Sequence, residues 1–550
     1  MTKKDKKISK NIIYFLFLIF FLIGLFTFRD YGMWTDEEFQ RFSGLYWLNY
    51  VLNFTSLDEL KNILALKLDQ IIDFTLPSPE YYSYYGVIFD LPAAFLELIF
   101  KIEDPKNYFY FRHLLNFTLF FIGSIFFYKL LLNRFSNYSI SLVGTLFFIL
   151  SPRIYGSSFF NNKDIVFLSL ITIALYFAFK ALDKPSYKNL LIFSIFAALS
   201  TSHRILGILL PVSFVTFYLL SLLSNNKNLN NLLSMIFFCV FYFIFLILFW
   251  PALWSSPIEN LVLAFKWFSS QILEVKMLFD GKYVYTNFLP YNYIFTWIFI
   301  TTPILYTILF IIGYVQIFRR FFLKFLNIKD NAYYDDLWRG VNEKKDLFIL
   351  FNITGVISYL VLSDVILYNG WRHLYFINIF IIYIATYAFY RIDLHLQLKS
   401  KKKIHYYILI PFLITIIYKM IIYHPFQNIY FNNYLNKISH LNFEIDYDGI
   451  SGKKFLLEIL ALEKNKNIIN IGVASWYPLH RSIKLLDKKD RKKINIVGQD
   501  FQKADYLYSN FISEVDKNIN DKYKIPSNFT TISKFILDDI TVYEVFEKNK

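Results

Sequence analysis

Eleven uninterrupted apolar runs divide this chain, at roughly 11–28, 112–132, 137–152, 164–181, 189–202, 205–222, 231–250, 293–317, 346–366, 374–391 and 404–421. A helix needs about 20 apolar residues to cross a bilayer upright. A backbone in hydrocarbon must satisfy its own hydrogen bonds, so such runs have little choice but to be helices. The expected fold class is therefore an α-helical polytopic membrane protein with about eleven transmembrane helices. The runs at 189–202 and 205–222 are parted only by His203-Arg204, and read either as two spans or as one kinked or re-entrant pair.

Composition agrees. The 550 residues are 56% hydrophobic and 21% aromatic, with a mean hydropathy of +0.39. The net charge of +15 would suit a nucleic-acid partner, but the cations sit in short loops beside apolar runs. That is the pattern of cytoplasmic loops, and no nucleic-acid role is read. The single cysteine, Cys239, lies inside an apolar run, which excludes an intrachain disulfide and a cysteine metal site.

The loops set a topology. Lys3, Lys4, Lys6, Lys7 and Lys10 precede the first run, and no small-residue cleavage site follows it. This reads as an uncleaved first span with a cytoplasmic N-terminus. Alternating the spans puts Lys129 and Arg134, Lys180 to Lys188, Arg319 to Lys324 and Arg391 to Lys403 inside. Asp30, Asp36, Lys163-Asp164 and Asp364 fall outside. Amphipathic stretches at Leu57–Phe74, Val87–Ile102 and Ile258–Phe279 lie in the long outside loops 29–111 and 251–292, and read as interfacial helices. Residues 1–423 form the membrane module. Residues 424–550 are polar, with β-type runs at Ile468–Ala474, Lys493–Val497, Tyr506–Ser509 and Thr531–Val545 and a helical pattern at Lys453–Glu463. They predict a small extracytoplasmic α/β accessory domain, with a hairpin turn at Asp538-Asp539.

Charge collects where runs end on the outside. Ionisable groups at a bilayer edge are costly, and read by default as a functional site. Trp34-Thr35-Asp36-Glu37-Glu38 follows the first span. Neighbouring carboxylates there can accept a proton from a hydroxyl or hold an oxygen-loving cation such as Mg or Mn; a solvated acidic turn is the plainer alternative. Arg153 can pair with a phosphate through two parallel hydrogen bonds. In Asn161-Asn162-Lys163-Asp164, Asp164 is a second acid or metal group, or else the cap of the next helix, with Lys163 snorkelling. His203-Arg204 and Arg372-His373 place cations where a lipid phosphate would lie, or anchor the interface.

Taken together, these motifs resemble the type-C integral-membrane glycosyltransferases. The resemblance is to the family 39-like branch of protein O-mannosyltransferases and lipid A aminoarabinose transferases. It rests on Trp34-Thr35-Asp36-Glu37, Arg112-His113-Leu114-Leu115-Asn116, Phe159 to Asp164, Phe279-Asp280-Gly281-Lys282-Tyr283 with Thr301-Thr302-Pro303, and Trp371-Arg372-His373-Leu374-Tyr375, over roughly residues 11–450. It extends to His424–Asn432 and Asp446-Tyr447, as in a bacterial subgroup.

The resemblance implies a polyprenyl-phosphate-sugar donor, a hexosyl- or pentosyltransferase reaction with inversion, and a lipid, glycan or protein acceptor. It implies the bacterial inner membrane, with the C-terminal domain periplasmic. Asp36 matches the catalytic base and Glu37 the second acid of that motif; the third acid, Glu38, leaves three candidates for the base. Asp164 matches an acid that holds metal or acceptor, and Arg372 a contact to the donor phosphate. Arg153, Lys163, Arg204 and His373 join the substrate-binding set, and Asp36 and Asp164 are the candidate ligands for Mg or Mn. A transporter or flippase of lipid-linked sugars would instead bury charge near the midplane and repeat its halves. A glycan polymerase or ligase would carry an Arg- and His-rich outside loop in place of the acidic pair.

Overall fold

The computed structural model describes residues 3–69, 84–223, 229–270, 275–326, 340–363, 365–399, 404–432, 438–512 and 522–549. The expectations for residues 70–74, Asp364 and Lys401 to Lys403 lie outside them. A helix stands at each apolar run: Lys3–Thr27, Pro105–Phe135, Tyr138–Ile149, Asp164–Asp183, Tyr187–His203, Leu209–Leu223, Leu229–Phe249, Ile304–Leu326, Val341–Leu362, Asn378–Leu398 and Tyr406–Ile422. Among the described residues, 7 helical segments are long and apolar enough to cross a membrane alone. Tyr138–Ile149 and Pro152–Phe160 pass that test together but are bent by 62°.

Local chemistry sets the breaks. Pro152 and Pro303 lack the N–H that would continue a helix and push the preceding residue to extended backbone. Ser151 and Thr302 adopt it, at ψ 101° and 136°. The run at 293–317 is therefore two helices, Tyr293–Thr301 and Ile304–Leu326. Arg204, extended at φ −141° and ψ 131°, parts Tyr187–His203 from a 3-10 turn at Ile205–Ile208 and the helix after it. Asn137 caps Tyr138–Ile149 by accepting from Ser139 N at 3.0 Å and Ile140 N at 3.2 Å.

Helix Asp164–Asp183 carries a different charged cluster at each of its ends. At one end, Arg134 Nε donates to Asp346 at 2.7 Å, Tyr383 adds a bond of 2.7 Å, and Lys345 meets Asp183 at 2.6 Å. The acidic and Arg-rich motifs meet at the other. Close helix contact needs small residues. A Cβ on Gly313 would lie 2.3 Å from the Ile384 carbonyl oxygen.

The expected interfacial helices appear at Asp58–Asp69, Asp90–Ile99 and Pro257–Ser270. The last was expected to run to Phe279. Instead β1 (Lys276–Phe279) pairs antiparallel with β2 (Lys282–Tyr285). Asp280 and Gly281 both have positive φ, 51° and 74°, which makes the two-residue hairpin turn.

The C-terminal sheet contains β3 (Ile469–Val473), β4 (Ile494–Gly498), β5 (Tyr506–Ser509), β6 (Phe529–Leu537) and β7 (Ile540–Lys548), in spatial order β4-β3-β5-β7-β6. β3 runs parallel to β4 and β5, and β7 antiparallel to β5 and β6. The β6–β7 turn is at Asp538-Asp539, both with positive φ. Helix Gly452–Leu462 begins the unit. The preceding residues, 424–432 and 438–451, bond to both parts: Asn432 N donates to Ile300 O at 2.8 Å and Arg153 Nε to Tyr430 O at 2.9 Å, while Asn510 Nδ2 donates to Asp446 O at 3.2 Å.

Candidate active site

The first span ends at Thr27, and the chain turns through Arg29–Asp36 before helix Glu37–Leu52. Asp36 stands at the N-cap position of that helix, yet its carboxylate makes no capping bond. It turns to Arg372, whose Nη1 donates at 3.0 Å. The Asp36 side chain is 35% exposed, against 1% for Glu37 and 7% for Glu38, so one of the three acids faces the opening. Burial alone would raise the Asp36 carboxyl, but Arg372 and then Lys163 outweigh it and hold it below the usual carboxylate range.

Glu37 turns inward. It accepts from Trp34 N at 3.3 Å and from His113 Nε2 at 3.2 Å. Both bonds hold the loop, and the carboxylate, expected as the second acid of the motif, is buried here. Glu38 also leaves the opening, and pairs with Lys484 of the C-terminal unit.

Arg372 and Lys163 act on Asp36 directly, and Arg204 lies beside Lys163. Arg372 lies 5.3 Å above the Trp34 ring and 5.2 Å from Tyr368, and its Nε has no partner among the described residues. Lys163 Nζ sits 3.8 Å over the Tyr85 ring. Burial, with Arg204 adding to it, pushes the Lys163 amine down to about 7. Arg204 pairs with Asp164 and donates to the His373 carbonyl at 3.3 Å. His373 contributes that carbonyl, while its ring packs edge-on to Tyr368 at 4.6 Å.

Asp164 is 2% exposed, and Asn161 Nδ2 donates to it at 2.9 Å. The cap of helix Asp164–Asp183 is Asn161, which accepts from Asp164 N at 2.8 Å; the expected capping role of Asp164 is not seen. Arg153, expected to meet a phosphate, is placed inside the fold. It is 1% exposed, its Nη1 donates to Tyr447 Oη at 2.9 Å, and it lies 4.4 Å over the Phe431 ring. These contacts make it a pillar under Tyr430, Phe431 and Tyr447.

A divalent cation on Asp36 and Asp164 does not fit this donor set. Each carboxylate is already matched by an arginine. Among the described residues no group of three His, Cys, Asp or Glu side chains could hold a metal.

Sequence reasoning did not single out Asp448, Asp90 or Tyr85. Asp448 accepts from Asn428 at 2.9 Å, and burial raises its carboxyl to about 6. Asp90 pairs with Arg112 and accepts from Asn162 at 2.8 Å; burial lifts it to about 7 despite Arg112. An acid in an amphipathic stretch, as Asp90 is in Val87–Ile102, was the available signal. For Tyr85 there was none.

Residues 91–254, about three-tenths of the chain, match the family described as dolichyl-phosphate-mannose-protein mannosyltransferase. The likeness to this family is thus carried by one part of the membrane module. The matched segment holds Arg112, Asn161 to Asp164 and His203-Arg204, while Asp36 and Arg372 lie outside it. No curated protein matches the sequence. The crystal structure of ArnT from Cupriavidus metallidurans in the apo state aligns over 98% of both chains, at 9% identity and a TM-score of 0.49.

Proposed function

We propose that the protein moves a sugar from a polyprenyl-phosphate donor to the hydroxyl of a lipid, glycan or protein acceptor, with inversion. The observation that carries this reading is the partly exposed Asp36 carboxylate, bonded to Arg372 and close to Lys163, which in turn lies beside Arg204. A lone carboxylate facing that many cations suits a reaction that takes one proton and expels one phosphate.

The donor phosphate lies against Arg372 and Lys163. Arg372 has an unused Nε–H to offer it. As the guanidinium turns to the phosphate, Asp36 loses its strongest cationic partner and becomes more basic, so the base is weak until donor is bound. Asp36 then takes the acceptor O–H proton. The acceptor oxygen bonds to the anomeric carbon from the face opposite the phosphate, and the anomeric carbon–phosphate oxygen bond breaks. Polyprenyl phosphate leaves carrying the electron pair. Charge grows on it as the bond breaks, so the cations bind the transition state more tightly than the substrate.

An apolar cleft of about 470 Å³ between the first span and helices Tyr138–Ile149 and Tyr406–Ile422 suits a hydrocarbon tail. Phe20, Ile23, Leu146 and Ile421 line it, with Thr27, Tyr155 and His424 among its polar members. The bundle sits with its lysine-rich end in the cytoplasm of a bacterial inner membrane, so transfer takes place on the other side.

The test is Asp36→Asn in a deletion strain, read by profiling lipid-linked glycans. Loss of the base lowers transfer by about 10² to 10⁴, and the unused donor accumulates while the protein inserts normally. Near-normal product from Asp36→Asn overturns the assignment.

A further inference from the structure

The C-terminal unit reaches one part of the membrane module repeatedly. Lys453 Nζ donates to Arg29 O at 2.7 Å and to Asp30 O at 3.0 Å, which covers carbonyls just past the end of the first span. Gly32 presses on the chain just before this unit; a Cβ there would lie 1.9 Å from the Ile450 carbonyl oxygen. Tyr477 Oη donates to Met33 O at 3.3 Å. Arg481 Nη1 donates to Thr35 O, and Lys484 pairs with Glu38. Thr35 N also donates to Asp448 O, at 3.1 Å.

These contacts fall in chain order along the loop that presents Asp36, and they occupy the residues on both sides of it. Arg481 is 7% exposed and Glu38 5%. Buried charge-assisted bonds of this kind are short and directional, and leave a buried charge behind when one partner is removed. The loop's own backbone adds local turns, Asp30 N to Thr27 O and Glu37 N to Trp34 O. Its overall course is set from outside.

We propose that the C-terminal sheet unit is a working part of the catalytic apparatus, in which Lys453, Tyr477, Arg481 and Lys484 hold the Arg29–Glu38 loop in the shape that aims Asp36. Arg481 and Lys484 are thus positioning residues, acting through Thr35 and Glu38. The proposal rests on the reading of Asp36 as the base, and it gives the expected accessory domain an internal role.

The experiment uses the full-length protein in nanodiscs of phosphatidylethanolamine and phosphatidylglycerol, followed by amide hydrogen exchange. Glycan profiles of the complemented deletion strain are taken in parallel. Lys484→Met and Arg481→Met are expected to speed exchange in residues 31–38 by about tenfold or more, as fits the loss of one charge-assisted bond. Exchange in β3 and β7 stays at the wild-type rate, and glycan product falls. Lys484→Arg restores both the slow exchange and the product, a rescue that a merely structural contribution to domain stability would not single out. If a methionine variant loosens β3 and β7 as well, Glu38→Gln cuts the same pair from the loop side and carries the same expectation.

Unchanged exchange in residues 31–38 overturns the proposal. So does faster loop exchange with wild-type product. Should Asp36→Asn keep its product while Lys484→Met loses it together with loop protection, the base assignment falls and the coupling between unit and loop stands.

Discussion

Lys163 gives the sharpest quantitative expectation. Its amine is pushed down to about 7 by burial and, next, by the positive charge of Arg204, while Asp36 and Asp164 pull the other way. Only the protonated amine attracts a donor phosphate. From a value near 7, about half the free enzyme is charged there at pH 7, about one molecule in ten at pH 8 and about one in a hundred at pH 9. Since kcat/KM reports the free enzyme, it should be level below about pH 6 and then fall toward tenfold per pH unit above 7. A bound phosphate stabilises the ammonium, so the corresponding limb of kcat lies at higher pH. Lys163→Arg keeps a cation that does not titrate in this range, and its kcat/KM should stay level to about pH 9. The assay is the initial rate of transfer by purified enzyme, from the lipid-linked sugar that accumulates in the deletion strain, at donor concentrations well below KM. A wild-type profile that is level through pH 9, or an alkaline limb unchanged in Lys163→Arg, would refute the reasoning.

Two further expectations follow from the ion pairs. Asp346→Ala strips Arg134 and Tyr383 of a buried partner, and should cost about 3–5 kcal/mol of stability, read by unfolding in detergent; Arg134→Met with Asp346→Leu should recover most of it. Because Asp36 and Asp164 are matched by arginines rather than poised as ligands, chelating divalent cations should leave the transfer rate unchanged, and a rate restored only by added Mg or Mn would contradict this.

The membrane helices were legible because their signal is local. The first run was read at 11–28 and the observed apolar segment is Lys10–Thr27. The proline breaks divide runs that look continuous by hydropathy alone, as at Thr302-Pro303. In the C-terminal unit the β-type runs and the Asp538-Asp539 turn were legible for the same reason: alternation and turn chemistry act over a few residues.

The site was legible as a set of charges at run ends and not as a set of pairs. Asp36 and Arg372 stand 336 positions apart, and nothing near either says which cation an acid will meet. The partner of Glu37, His113, could not be foreseen either, because it lies on another helix. Arg153 reads like the other rim cations in sequence, but the bend at Ser151-Pro152 carries it beneath Tyr430 and Tyr447. The grip of Arg481 and Lys484 on the acidic loop left no trace at all, since basic residues in a polar tail are ordinary.

The clasp on that loop has a consequence for how the protein is made. Thr35 leaves the ribosome early, and Arg481 follows it 446 residues later. At about 5–20 residues per second, that delay is on the order of 20 to 90 seconds. Through that interval the acid and its surrounding helices can be in the bilayer, with donor lipid at hand, and still lack the clasp. On the proposed role of the sheet unit, a new chain gains an aimed Asp36 only once Arg481 and Lys484 have been made, and a ribosome that stalls before Lys484 would leave an inserted protein without the clasp.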